Sequence, residues 1–153
     1  MPVSLLRVLP LAAAFMLSAA VIGTAGEIYT TDGGVAINGY DPVAYFADHK
    51  PVKGSDKFTA LHEGATFHFA SAKHRDAFTA NPEHFAPQYG GYCAYGTAEG
   101  HKAPTEPQAF TIADGKLYLN YNDNVAKRWR TDVDGNIEKA NANWDTVKKE
   151  PAP

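Results

Sequence analysis

The fold is decided by the stretch Phe110-Thr111-Ile112-Ala113-Asp114-Gly115-Lys116-Leu117-Tyr118-Leu119. Two runs suited to β-strands flank the Asp114-Gly115 pair, and an Asp-Gly turn between such runs is a strong signal for a β-hairpin. A second hairpin is predicted earlier in the chain, where residues 57–62 and 65–69 flank Glu63-Gly64. The centre of the chain therefore consists of two antiparallel strand pairs.

Helical patterns surround these hairpins. Helices are predicted over residues 41–46, 71–79, 125–130 and 137–147, and a short strand over residues 35–40. Asp41 and Ser71 are the expected N-caps of the first two helices, because short polar side chains accept hydrogen bonds from the first helical amides. Hairpins combined with helices predict the α+β class, as a small single domain with β-hairpins packed against short helices.

The first 25 residues have the order of a secretory signal peptide. Arg7 precedes an apolar run over residues 8–22, and small residues follow it. We therefore expect an exported protein, periplasmic or secreted, that keeps no stable membrane anchor after cleavage. The remaining chain divides into one domain over residues 27–147 and a flexible tail over residues 148–153.

The charge balance excludes one class of partner. The formal net charge is −3 at pH 7, and removal of the signal with Arg7 makes it one unit more negative. A mildly acidic chain without a basic stripe lacks the electrostatic footprint of a nucleic-acid-binding protein. We expect no nucleic-acid partner, and the sequence leaves the oligomeric state open.

Cys93 is the only cysteine in the chain and lies in a segment rich in glycine and tyrosine, residues 88–96. Exported proteins normally pair their cysteines. An unpaired cysteine is therefore a buried structural thiol, a bond to another chain, a metal ligand or a nucleophile. All four interpretations are open at this point.

Several separated blocks resemble the YHS-domain family, and more narrowly its small exported bacterial members. They are Gly39-Tyr40-Asp41-Pro42-Val43-Ala44-Tyr45-Phe46, Pro87-Gln88-Tyr89-Gly90-Gly91-Tyr92-Cys93-Ala94 and Gly115-Lys116-Leu117-Tyr118-Leu119-Asn120-Tyr121. The resemblance implies a YHS-like domain with a role in metal handling, because YHS domains accompany copper-transporting ATPases. Those domains have cysteines where this chain has Ala44, Ala70 and His74. A metal site here would need a different ligand set.

The predicted metal ligands are Cys93 and His74, with His84 or His68 as a further histidine. Thiolate and imidazole together suit copper or zinc, whereas calcium and magnesium prefer oxygen ligands. The resemblance favours copper. The sequence thus predicts a non-enzymatic module that binds a copper or zinc ion, with a metal donor or acceptor protein as partner.

Two alternatives remain beside the metal interpretation. Tyrosines near Asp41 and Cys93 could line a pocket for a small ligand or a protein partner; the residues are Tyr40, Tyr45, Tyr89 and Tyr92 with Asp41. Cys93 with His74 or His84, oriented by Asp41, could instead form an activated thiolate. The enzyme interpretation has the least support, because no nucleophile-elbow or phosphate-loop motif accompanies it.

Overall fold

The computed structural model describes residues 27–153, so the predicted signal peptide lies outside the described residues. The strands are β1 (Thr30–Thr31), β2 (Val35–Ala36), β3 (Ser55–His62), β4 (Ala65–Phe69), β5 (Glu106–Ala113) and β6 (Lys116–Asn120). The helices are α1 (Ala44–Ala47), α2 (Ala72–Ala80), α3 (Pro82–Phe85), α4 (Ala94–Ala98), α5 (Asp123–Thr131) and α6 (Val133–Val147). Short 3₁₀ turns cover Ile37–Gly39 and Gln88–Gly91.

Both predicted hairpins are confirmed. β3 pairs antiparallel with β4 and β5 with β6. Each turn has two residues with positive φ, Glu63 with Gly64 and Asp114 with Gly115, as the tight two-residue turns of hairpins require. The first hairpin extends to a four-stranded sheet in the order β1-β2-β4-β3, with β2 parallel to β4. Mixed strands and helices in one small domain confirm the α+β class.

The strand predicted over residues 35–40 is wrong beyond Ala36. Ile37 and Asn38 both adopt φ near 51°, and Gly39 follows with φ of 80°. The amide of Tyr40 donates to the carbonyl of Ile37, which closes a tight turn. Alternating apolar residues suggested a strand, but the turn ends the strand and leads the chain to Asp41.

The start of α2 agrees with the sequence prediction, whereas α5 and α6 start earlier in the chain than predicted. Ser71 Oγ accepts from the amide of His74 at 3.2 Å, which confirms the predicted N-cap of α2. α5 and α6 begin before their predicted starts, because the side chains of Asn122 and Asp132 accept from the amides of the first turns. The cap residue fixes the helix start, and apolar periodicity alone cannot locate it.

β6 joins the two hydrophobic clusters of the domain. Leu117 and Leu119 pack with Phe67 and other residues of the first cluster, whereas Tyr118 packs against Trp129 in the second. The strand is therefore buried on both faces from Leu117 onward. Asn120, the last residue of β6, is fully buried as a consequence.

Lys102 connects the loop after α4 with the end of the chain. Its Nζ donates to the carbonyl of Lys148 at 2.9 Å and to that of Glu150 at 2.6 Å, and it lies 4.8 Å from the centre of the Tyr92 ring. The first residues of the predicted tail are thus in contact with the domain, and the mobility of residues 148–153 stays a prediction. Between residues 27 and 153 no helix has the length and apolar character to cross a membrane.

Candidate functional site

Cys93 lies at the N-terminal end of α4, with only 2% of its surface exposed. Its own amide donates to the carbonyl of Ala103, which fixes the backbone before the helix. The sulfur accepts from the amide of Gly96 at 3.4 Å. In the other direction the thiol donates to Oδ1 of Asn120 at 3.5 Å. The thiol therefore lies between the first turn of α4 and the end of β6.

Two opposing effects act on the thiol. Burial raises the pKa of Cys93, because a thiolate loses solvation inside the domain. Hydrogen bonds from the backbone amides of Gly96, Tyr121 and Tyr95 act in the opposite direction and lower the pKa, but burial is the larger effect. The sulfur is therefore a neutral thiol near neutral pH, surrounded by donors that would stabilise a negative charge.

Asn120 contributes a second unusual feature. Its Oδ1 accepts from the amide of Tyr95 at 3.0 Å in addition to the thiol contact. Its Nδ2 is buried and has no hydrogen-bond partner among the described residues. A buried donor without an acceptor is costly, by about 1–3 kcal/mol. An amide group with an unused donor thus lies directly beside the only thiol.

A cavity of about 350 Å³ opens beside Cys93. Its lining is mostly apolar or aromatic; the residues are Cys93, Tyr95, Gly96, Glu99, His101, Ala103, Tyr121 and Val125. A larger groove of about 740 Å³ lies between residues 27–30 and the end of the chain. That groove is lined by no cysteine or histidine, so we place the candidate site at the smaller cavity.

His101 approaches the thiol across Gly96. A methyl group added to Gly96 would lie 3.4 Å from Cβ of Cys93 and 3.5 Å from Nε2 of His101. The imidazole and the thiol side chain therefore adjoin the same small space, which glycine leaves open. His101 is otherwise exposed. A thiol and an imidazole beside one cavity are a pair of donors suited to a soft metal ion.

The histidines predicted as ligands have other contacts. Nδ1 of His74 lies 2.6 Å from Oδ2 of Asp41. The ring of His84 lies 5.0 Å from that of Phe46 and 4.6 Å from that of Phe85, measured between ring centres. The fourth candidate, His68, lies beside Gly39 and Gly54. Each of these histidines thus has its own surroundings away from Asn120 and Gly96, the residues that contact the thiol.

Within residues 27–153, no three side chains of the types His, Cys, Asp and Glu form a group that could hold a metal ion. Cys93, His74 and His84 therefore do not form such a group. Cys93, His101 and Glu99 line one cavity, but they do not form a metal-binding group of three side chains either. The thiol of Cys93 and the imidazole of His101 are the thiol and imidazole donors that line this cavity.

The predicted tyrosine pocket is not assembled around one of the cavities described here. Tyr45 is fully buried, and its hydroxyl donates to the carbonyl of Pro107 at 2.8 Å. The hydroxyl of Tyr89 donates to Oδ1 of Asn141, and that of Tyr40 lies 3.2 Å from Nε2 of Gln108. Asp41 caps α1. Among the predicted pocket residues, Tyr92 is the one that lines a described cavity, the larger groove.

The parts of the predicted catalytic triad are divided between two places. Asp41 and His74 are in contact, whereas the side-chain partner of Cys93 is Asn120. Asn120, Tyr121 and His101 were not among the predicted site residues. The sequence carried no signal for them, because their approach to Cys93 depends on tertiary contacts.

The fold and the site define a small α+β domain with one buried thiol beside an aromatic cavity. Comparison of the chain with protein-family models, with curated proteins and with solved structures found no match. The YHS resemblance and the export of the protein therefore stay predictions.

Proposed function

We propose that the protein is a non-enzymatic module that binds a soft metal ion through Cys93, with His101 as the histidine ligand in place of His74 and His84. The observation that carries the proposal is the position of Cys93 and His101 on either side of Gly96, at one cavity. The amides around the sulfur support it, because hydrogen bonds to a ligating thiolate stabilise its charge and orient it.

The neutral thiol fits this role. A metal ion binds the thiolate, so binding releases the thiol proton and becomes stronger as the pH rises. Burial protects the uncharged sulfur from oxidation and alkylation in the meantime, since the thiolate is the reactive form. The same property argues against the enzyme interpretation, which requires a thiol with a lowered pKa.

The test is a metal titration of the mature protein with Cu(I), under anaerobic conditions and against a competing chelator, followed by the same titration with Zn(II). We expect one equivalent of bound metal in the wild type and none in Cys93→Ser. His101→Ala should weaken binding at least about tenfold, which corresponds to about 1.4 kcal/mol.

His84→Ala is the matched control for His101→Ala, because the His84 ring lies against Phe46 and Phe85 rather than beside the thiol. It should bind metal like the wild type. Metal binding that is unchanged in Cys93→Ser would contradict the proposal. A loss in His84→Ala with no loss in His101→Ala would return the site to the ligand set predicted from the sequence.

The apolar lining of the cavity favours a second candidate, a module for a small neutral ligand. Tyr95, Tyr121 and Val125 supply apolar surface, and their cavity has the volume of a small-molecule site, roughly 300 to 1,000 Å³. This candidate keeps the aromatic pocket of the sequence prediction but forms it from Tyr95 and Tyr121. Calorimetric binding of p-cresol that is equal in the wild type and in Cys93→Ser, without any bound metal, would favour it.

A further inference from the structure

The number of donors at the cavity decides which metal fits. Zinc in proteins is held by three or four protein ligands. Here the thiol of Cys93 and the imidazole of His101 are two, and no third side chain of a ligating type completes a group within residues 27–153. Copper in its Cu(I) state prefers thiolate and thioether donors, and it forms stable complexes with only two or three ligands. The pair therefore suits Cu(I) and leaves zinc undercoordinated.

The cavity also determines what could complete the coordination. Its walls beside the thiol include the rings of Tyr95 and Tyr121 and the side chain of Val125, and its one acidic lining residue is Glu99. An apolar, aromatic lining accepts a methionine side chain well, because thioether sulfur packs favourably against aromatic rings. It disfavours a second thiolate, whose charge would be desolvated there and would face Glu99.

We infer that the Cys93 and His101 pair binds Cu(I) with an open coordination position, and that this position takes the thioether of a methionine side chain from an exchange partner. The inference rests on the proposed function and names the metal and the partner's donor. A third, exogenous donor would give the ion a route into and out of the site: its Cu–S bond forms first at the open position, one of the two protein–copper bonds can break only afterwards, and copper stays Cu(I) throughout.

Asn120 supports a site at which the sulfur changes from a neutral thiol to a metal-bound thiolate. Its Oδ1 accepts from the thiol in the metal-free protein, while its buried Nδ2 lacks a partner. When Cu(I) replaces the proton, the thiol no longer donates and the sulfur becomes a better acceptor. The amide group whose oxygen accepts from the thiol thus still has one unused buried donor.

The experiment adds N-acetylmethionine methylamide to the Cu(I)-loaded protein and measures the copper coordination by X-ray absorption. We expect one sulfur and one nitrogen donor before the addition and two sulfurs with one nitrogen after it. The norleucine analogue, which has a methylene in place of the sulfur, should change nothing. Binding of the norleucine compound with equal affinity would overturn the thioether role.

Gly96→Ala tests the space between the two donors. The added methyl would lie 3.2 Å from the carbonyl oxygen of His101 and 3.4 to 3.5 Å from the Cys93 and His101 side chains, so it would fill the space between the two donors, and Cu(I) affinity should fall at least tenfold in a protein that still unfolds cooperatively in urea. Unchanged Cu(I) affinity in a folded Gly96→Ala protein would contradict the two-donor geometry.

The outcomes separate this inference from the proposed function. A wild type that binds neither Cu(I) nor Zn(II) refutes both. Cu(I) bound by one sulfur and one nitrogen, with no change on addition of the thioether, refutes the exchange position and leaves the proposed function standing. Zinc that binds more tightly than Cu(I) refutes the metal assignment alone.

Discussion

Nδ1 of His74 lies 2.6 Å from Oδ2 of Asp41, and the carboxyl group of Asp41 is fully buried. The same oxygen accepts from the amide of Ala70 at 2.9 Å, while Oδ1 accepts from the amide of Val43 at 2.8 Å. Asp41 thus joins the start of α1 to the junction between β4 and α2. The amide of Ala44 also donates to Oδ1, at 3.3 Å, so four donors converge on one side chain, and His74 is one of them.

Asp41→Ala should destabilise the domain by about 3 kcal/mol, because it leaves several buried backbone amides without an acceptor. Urea unfolding followed by circular dichroism measures the change. Asp56→Ala is the matched control, since Asp56 is exposed in β3, and it should change the free energy of unfolding by less than about 0.5 kcal/mol. A loss below about 1 kcal/mol in Asp41→Ala would show that water replaces the carboxylate.

Cys93 should react with iodoacetamide at least about tenfold more slowly in the folded protein at pH 7 than in the urea-unfolded chain, because burial raises its pKa. Rapid alkylation at pH 7 would instead support the nucleophile interpretation.

The raised pKa of Cys93 also makes stability depend on pH, because the folded protein holds the thiol proton more tightly than the unfolded chain does. The resulting stability is present below the ordinary thiol pKa of 9.0 and is lost as the pH rises through the higher folded value. Stability should therefore fall more steeply above pH 9 in the wild type than in Cys93→Ser.

Gly90→Ala should destabilise the domain by about 3 kcal/mol or more. Gly90 has φ of +62°, and an added methyl would collide with the backbone carbonyl oxygen of Glu27, so the backbone must move. Gly64→Ala is the matched control, because it introduces the backbone strain of a positive φ without a collision. Gly64 has φ of +81°, and nothing lies within 4 Å of the added methyl. That variant should lose only about 1 to 2 kcal/mol. Equal losses in urea unfolding would contradict the close approach at Gly90.

Lys102→Met should release the end of α6. The ammonium group donates to two carbonyls, those of Lys148 and Glu150, and burial lowers the pKa of Lys102. We expect the lost hydrogen bonds to cost more free energy than is gained by no longer burying a charged group. The variant should therefore be less stable by about 1 kcal/mol. Hydrogen exchange at the amides of residues 148–150 should become faster. Lys116→Met, at an exposed position of β6, is the control and should leave these amides unchanged.

The hairpins and the caps of the middle helices could be predicted because their signals are local. The Asp114-Gly115 turn and the Ser71 cap each depend on residues within a few positions of one another. α4 was not predicted, because it has only five residues and Gly96 lowers its helical propensity. The chain forms α4 nevertheless, since Ala94 and Ala98 pack into the second cluster.

The candidate site was predicted in part. Cys93 stood out as the only cysteine, but its neighbours depend on tertiary packing. Asn120 reaches it from 27 positions away because the buried strand β6 ends beside α4. His101 adjoins it because Gly96 has no side chain. The sequence offered six histidines without a physical rule to choose among them, and the family resemblance favoured His74.

The burial of Trp129 gives the protein an intrinsic optical reporter. Its indole is fully buried, lies 5.2 Å from the ring of Tyr118 between ring centres and belongs to the cluster that contains Ala94 and Ala98. α4 begins with Ala94, the residue after Cys93, and both Ala94 and Ala98 belong to the same cluster as the indole. A shift of α4 would therefore change the surroundings of the indole. Fluorescence emission from this indole should respond to the packing of α4 without any attached dye, so we expect binding at the thiol to change the tryptophan emission, to which Trp144 also contributes.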